Sequence, residues 1–172
     1  MSISKKICLL GDSAVGKTSL LHRFIYQRFD DQQQHTFGIH VMRKPMSISL
    51  AGGTVEVVLL LWDAATEPQV CQSNASYLRG AAGMMLVCDV TRPATLLNIS
   101  KHMTTLQTAY PGCKYIVAAN KSDGEQQILT RGDVQSALRH HEVPFYMTSA
   151  KTGYEVEKLF QQSEERRVGK EC

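Results

Sequence analysis

The sequence predicts an α/β fold of three layers, a mostly parallel sheet with helices on both faces. Three observations predict it. Apolar runs of strand length recur at residues 3–10, 57–62, 83–90, 115–119 and 144–147. Segments with apolar residues at helical spacing lie between them, and such alternation favours a parallel sheet with helical crossovers. The first apolar run passes into Gly11-Asp12-Ser13-Ala14-Val15-Gly16-Lys17-Thr18, and Leu20, Leu21, Phe24 and Ile25 then recur at helical spacing. Strand, glycine-rich loop and helix in that order make the architecture a phosphate-loop nucleotide-binding fold.

Each element has its own reason. In residues 11–18 the two glycines let the backbone curl until several N–H groups face one point, a nest suited to an anion. The helix from Lys17 to about Gln27 adds the positive end of its dipole. Lys17 would reach the β- and γ-phosphates, and the Thr18 hydroxyl would hold Mg²⁺. Residues 29–35 are polar and read as a mobile loop. Thr36-Phe37-Gly38-Ile39 leads into a hairpin with arms at 41–50 and 55–61 and a Gly52-Gly53 turn. The run 57–62 is apolar throughout, as in a strand covered on both faces. It ends at Asp63, by itself a turn residue as readily as a metal ligand; with a phosphate loop upstream the metal role is favoured.

Residues 64–74 are polar and irregular, 75–79 a short helix, and 83–90 a buried strand. A helix over 96–110, with Leu97, Met103 and Leu106 among its apolar positions, stops at Pro111-Gly112. The strand 115–119 runs into Asn120-Lys121-Ser122-Asp123. Thr130 caps a helix to His141, residues 144–147 form the last strand, and Thr148-Ser149-Ala150-Lys151 follows. A final helix begins near Tyr154. Ligands of such sheets bind at the carboxyl ends of the strands, so the glycine loop, Asp63, Asn120 and Ser149 should gather along one edge.

Composition narrows the class. The chain has 172 residues, 43% hydrophobic and 20% charged, which suits one globular domain. A net charge of +3 without a basic block gives no case for nucleic acid. No apolar run approaches the roughly 20 residues of a membrane span. Ser2 in place of glycine excludes N-myristoylation. The five cysteines form no C-x-x-C pair; Cys8 and Cys88 lie in apolar runs and read as buried thiols of a reducing compartment.

With its motifs in order, GDSAVGKT, TFGI, WDAAT, YLRGA, NKSD and TSAK, the chain over about residues 4–162 resembles a Ras-superfamily small GTPase, closest to the Rab branch. The resemblance implies a GTP- and GDP-binding switch with Mg²⁺ that hydrolyses GTP. In the family the phosphate-loop residues, here Gly11, Asp12, Ser13, Ala14, Val15, Gly16, Lys17, Thr18 and Ser19, hold the phosphates. Asp123 would accept bonds from the guanine N1–H and amine, Asn120 would bond the N7 side, and the Lys121 stem would lie over the ring. Ala150, between Ser149 and Lys151, would offer its N–H to the guanine O6, and Phe29 would pack edge-on to the base. Thr36 would bind Mg²⁺ through its hydroxyl and the γ-phosphate through its N–H, so that Thr18, Thr36 and Asp63 form the metal set. Release of residues around Thr36 after γ-phosphate loss would be the switch. Effectors and regulators would bind through residues 30–45 and 64–79. The implied location is the cytoplasm, including cytosolic membrane faces, with membrane attachment only through a C-terminal tail absent from this sequence.

The second switch departs from the family pattern Asp-x-x-Gly-Gln: here it is Asp63-Ala64-Ala65-Thr66-Glu67, then Pro68. Thr66 keeps an N–H for the γ-phosphate but lacks glycine's backbone freedom. Glu67 stands where the family's glutamine orients the attacking water; an ionised carboxylate accepts a hydrogen bond but donates none. Lys17, Thr36 and Glu67 are thus the catalytic set, with slow hydrolysis expected. A GTP-binding scaffold without turnover stays open as the alternative, and an ATP-dependent phosphate-loop enzyme is disfavoured by NKSD and TSAK. The hairpin is longer than in Rab-like chains, with the extra residues expected near 43–47 or at the turn.

The domain is expected to span residues 1–162. Residues 163–172, Ser-Glu-Glu-Arg-Arg-Val-Gly-Lys-Glu-Cys, resemble a translated sequencing adapter, because TCG-GAA-GAG-CGT-CGT-GTA-GGG-AAA-GAG-TGT encodes them residue for residue. Cys172 is accordingly no evidence for prenylation, and the last helix would be cut short after Gln162.

Overall fold

Six strands form one sheet in the order β2-β3-β1-β4-β5-β6 in the computed structural model, which describes residues 3–33, 35–50, 52–65 and 75–168. The strands are β1 (Ile3–Leu10), β2 (Ile39–Leu50), β3 (Gly53–Ala64), β4 (Gly83–Asp89), β5 (Lys114–Asn120) and β6 (Phe145–Met147). The helices are α1 (Lys17–Tyr26), α2 (Ala75–Leu78), α3 (Pro93–Ala109), α4 (Arg131–Leu138) and α5 (Val156–Val168). Only β2 runs antiparallel to its neighbour; every other pairing is parallel.

The period-2 alternation of the strands sends consecutive residues to opposite faces. Ile7 and Leu9 of β1 pack with Leu20, Leu21 and Phe24 of α1 and Leu159 and Phe160 of α5. Phe24 and Phe160 stack at 4.0 Å between ring centroids. Cys8 and Leu10 point the other way, toward Tyr77 and Leu78 of α2, Leu96, Ile99 and Met103 of α3, and Val134 of α4. The two cores are the two outer interfaces of the three-layer sandwich. Burial pushes the Cys8 and Cys88 thiols up to about 12, so neither is a thiolate at neutral pH.

Several local expectations are corrected. Within the apolar run 57–62 of β3 only Val57, Leu59 and Leu61 are fully buried, while Val58, Leu60 and Trp62 are half-buried. The reason is position: on that side α3 and α4 pack over β4 and β5, and β3 is reached by Tyr77 of α2, which packs edge-on against Trp62. The hairpin pairs one-to-one from Ile39↔Ala64 to Leu50↔Gly53, with no bulge at 43–47. Leu97 is 57% exposed; Leu96 and Ile99 take the buried positions of α3, which starts earlier than expected with Pro93 in its first turn. Thr130 does cap α4, in a reciprocal box with Asp133, but the helix ends at Leu138. The last helix continues past Gln162 to Val168; glutamate and arginine are good helix formers whatever their origin. No helix among the described residues is long and apolar enough to cross a membrane.

Candidate functional site

The carboxyl ends of β1, β3, β5 and β6 open onto a cavity of about 1190 Å³. Its lining includes Ser13, Ala14, Gly16, Lys17, Thr18 and Ser19 from the glycine loop and α1. Thr36 and Phe29 come from the segment after α1, and Asn120, Lys121, Asp123, Ala150 and Lys151 from the loops after β5 and β6. Gly11, Asp12, Val15, Asp63 and Ser149 stand behind this lining. Thr66 and Glu67, with Pro68, lie outside the described residues.

Glycine geometry forms the loop. Gly16 has φ +99°, and a Cβ there would sit 2.3 Å from the Asn120 side-chain nitrogen. Gly11 has φ +150°, and a Cβ there would sit 2.3 Å from the Val87 carbonyl oxygen. Ala14 and Lys121 are non-glycine residues held at φ 60° and 67°, the local strain that ligand-binding loops store. No side chain caps the start of α1, so its first N–H groups remain open to an anion. Lys17 Nζ donates to the carbonyls of Gly11 and Asp12, both at 2.9 Å, which draws the ammonium back over the loop. Burial lowers its pKa, against the raising effect of Asp63 and Asp12.

Three hard oxygens converge beside Lys17. Thr18 Oγ1 donates to Asp63 Oδ2 and lies 2.6 Å from Thr36 Oγ1. Asp63 is fully buried, and burial pushes its carboxyl up, partly countered by Thr18 and Lys17. Its Oδ1 has no hydrogen-bond partner among the described residues. One carboxylate oxygen left bare beside two hydroxyls fits a small hard cation that takes its remaining ligands from phosphate and water. In the loop after α1, Ser19 Oγ donates to Gln33 Oε1 at 2.9 Å, and Gln33 N donates to Asp30 O.

Asn120 ties the opposite ends of the cavity together. It is buried, its Nδ2 donates to Val15 O at 3.0 Å, and its Oδ1 accepts from Ala150 N at 3.2 Å and Thr148 Oγ1 at 3.4 Å. Ser149 Oγ donates to Asp123 Oδ1 at 2.6 Å and so orients that carboxylate. Val15 contributes its carbonyl while its side chain lies in the core. Phe29 both lines the cavity and packs on the core that holds α1.

Sequence reasoning missed a second tier. Asp89, buried at the end of β4, accepts from Lys121 Nζ at 2.7 Å, Arg92 Nε at 3.0 Å and Thr91 Oγ1 at 2.6 Å. Lys121 Nζ also donates to Ala14 O at 2.8 Å, and Arg92 Nη2 to Ser13 O at 2.9 Å. The Asp12 carboxylate accepts from Asn98 of α3 at 2.7 Å. The signal for Asp89 was present, a carboxylate closing an apolar strand as Asp63 does. Burial raises the Asp89 pKa, but the Lys121 and Thr91 bonds outweigh it and hold the carboxyl below its ordinary 3.8. A depressed carboxylate stabilises the fold above the unfolded-state value and loses that contribution as pH falls through its folded value. Asp89→Asn should therefore lower stability by about 1–2 kcal/mol at neutral pH. Thermal melts of both proteins from pH 7 to pH 3 check this, and the gap should close only below about pH 4.

The Ras family model matches residues 6–167. The GTP-binding protein ypt4 of Schizosaccharomyces pombe is 32% identical over 158 residues, covering 90% of this chain and 68% of the relative. The Ras-related protein SEC4 of Saccharomyces cerevisiae is 34% identical over 156 residues, covering 90% and 71%. The Ras-related protein Rab7 of Drosophila melanogaster is 33% identical over 162 residues, covering 91% and 76%.

Proposed function

The chain belongs to the Ras family as a Rab-like small GTPase, and on that premise we propose that it is a magnesium-dependent guanine-nucleotide switch of vesicle trafficking with slow intrinsic GTP hydrolysis. The observation that carries the reading is the single cavity that brings the phosphate loop, the Thr18–Thr36–Asp63 oxygens and the Asn120–Asp123–Ala150 group together.

Each residue has a role in this reading. The nest at residues 13–18 and the open start of α1 bind the phosphates. Lys17 gives up loop carbonyls for phosphate oxygens when nucleotide is bound. Thr18, Thr36 and Asp63 would hold Mg²⁺, which when bound offsets negative charge on the β- and γ-phosphate oxygens. Asp123 accepts from the guanine N1–H and amine, and the Ala150 N–H meets O6. Adenine offers neither match, and buried polar groups left unpaired reject it. Thr36 reports the γ-phosphate, and its release frees the loop that carries Phe37, which is 81% exposed. Phe37, Ile39 and Val41 then form the apolar part of a surface for effectors and regulators. Residues 64–79 would complete that surface.

Slow turnover follows from chemistry at Glu67. A carboxylate beside an anionic γ-phosphate repels it and cannot donate a bond to hold the attacking water. Single-turnover assays with GTP and ATP side by side test both claims. GTP should be bound and cleaved slowly, ATP neither, and Glu67→Gln should cleave about tenfold faster. Equal handling of ATP sinks the guanine reading; a Glu67→Gln variant no faster than the parent sinks the charge argument. Residues 1–162 are taken as the GTPase domain and 163–172 as adapter-derived, which genomic sequence across the junction decides.

A further inference from the structure

We propose that Arg23 is a positioning residue for guanine specificity, holding the loop after β6 so that its N–H, not a carbonyl, meets the base edge. Arg23 lies in the last turn of α1, in sequence far from that loop. Its Nε donates to Ala150 O at 2.7 Å and its Nη2 to Lys151 O, so the planar fork spans two successive carbonyls. Its Nη1 donates to Gln27 O at 3.3 Å, and its stem passes beside Gly153, where a Cβ would lie 3.6 Å from Arg23 Cδ. No carboxylate among the described residues pairs with this guanidinium. Among the described residues its hydrogen-bond partners are peptide carbonyls.

Polarity is the consequence. Ala150 and Lys151 line the cavity, yet both their carbonyls turn to Arg23. The Ala150 N–H donates to Asn120 Oδ1, which also lines the cavity. A peptide held this way keeps its N–H on the cavity side, where the guanine oxygen would share it with Asn120 Oδ1. Turned over, it would present an acceptor there, repelling that oxygen and favouring an amine. Helix capping alone would use the Gln27 carbonyl and would not need the fork on residues 150 and 151.

The inference rests on the guanine reading, and three nucleotides separate the two. GDP and inosine diphosphate both carry O6; 2-aminopurine riboside diphosphate lacks it and keeps the 2-amine. Affinities of each are measured for the parent protein, Arg23→Met, which keeps the apolar stem, and Arg23→Lys, which keeps the charge without the fork. Arg23→Met should weaken GDP and inosine diphosphate alike by about tenfold and leave 2-aminopurine riboside diphosphate within about twofold. Arg23→Lys should give the same pattern at about threefold, and it carries the test if the methionine variant does not fold. Equal weakening of all three nucleotides means a merely structural role and overturns the proposal, as does no weakening of any. A parent that binds all three equally overturns the guanine reading and this inference together. A parent that discriminates, beside variants that discriminate equally well, overturns only the role of Arg23.

Discussion

Replacing Gly11 with alanine is expected to destabilise the protein by roughly 2–4 kcal/mol and to remove nucleotide binding. Two independent penalties meet there. The backbone has φ +150°, outside the comfortable range of an L-residue, and the new methyl would sit 2.3 Å from the Val87 carbonyl oxygen and 3.2 Å from Val15 Cγ2. Val87 belongs to the buried strand β4 and cannot retreat without disturbing its pairing with β5. The loop must move instead, and it carries the Lys17 anchor at Gly11 O with it. Thermal melts with and without GDP check both parts. The free protein should melt about 5–15 °C lower, and GDP should no longer raise the melting temperature. A parent-like response to GDP would mean that the close packing behind Gly11 is not what shapes the phosphate nest.

The second large effect is expected from Asn120→Ala. Truncation leaves the Val15 carbonyl and the Ala150 N–H without their buried partner, costing about 1–3 kcal/mol for each group left unpaired. It also removes one of the two side-chain links between the phosphate loop and the loop after β5, leaving the bond from Lys121 Nζ to Ala14 O. Affinity for GDP should fall at least about 100-fold, more than the one lost base contact would give. Asn120→Asp separates the causes. It keeps the acceptor for Ala150 but turns a carboxylate oxygen against the Val15 carbonyl, so it should be at least as damaging as alanine. An aspartate variant with near-parent affinity would show that the bond to Val15 carries little. Titration of each variant with a fluorescent GDP derivative gives the numbers.

Much of the site could be read before any coordinates because its chemistry is local. The glycine loop is contiguous, and its function follows from backbone freedom at Gly11 and Gly16 beside Lys17 and Thr18. Asn120 and Asp123 lie in one turn, as do Ser149 and Ala150. Their convergence followed from a rule of topology, since each closes or follows a strand of a parallel sheet. Leu97 and the half-open face of β3 were misread for one reason: apolar character reports the option of burial, whereas burial depends on which helix crosses which strand. The helix ends at Leu138 and Ala109 likewise depend on where the chain must turn to reach the next strand.

The sequence by itself determined the fold class and the order of the elements, and its resemblance to a family supplied the groups proposed to meet a guanine nucleotide. Strand and helix periodicity, glycine conformational freedom and hydrogen-bonding capacity are properties of residues and near neighbours. Only the tertiary structure decided what stands behind them. Asp89 gathers Lys121 and Arg92 against the carbonyls of Ala14 and Ser13, Asn98 donates to Asp12, and Arg23 reaches a loop at the far end of the chain. These are long-range polar contacts made by residue types that are ordinarily solvated. Nothing in their own stretch of sequence distinguishes them from surface charge until the fold brings their partners within reach.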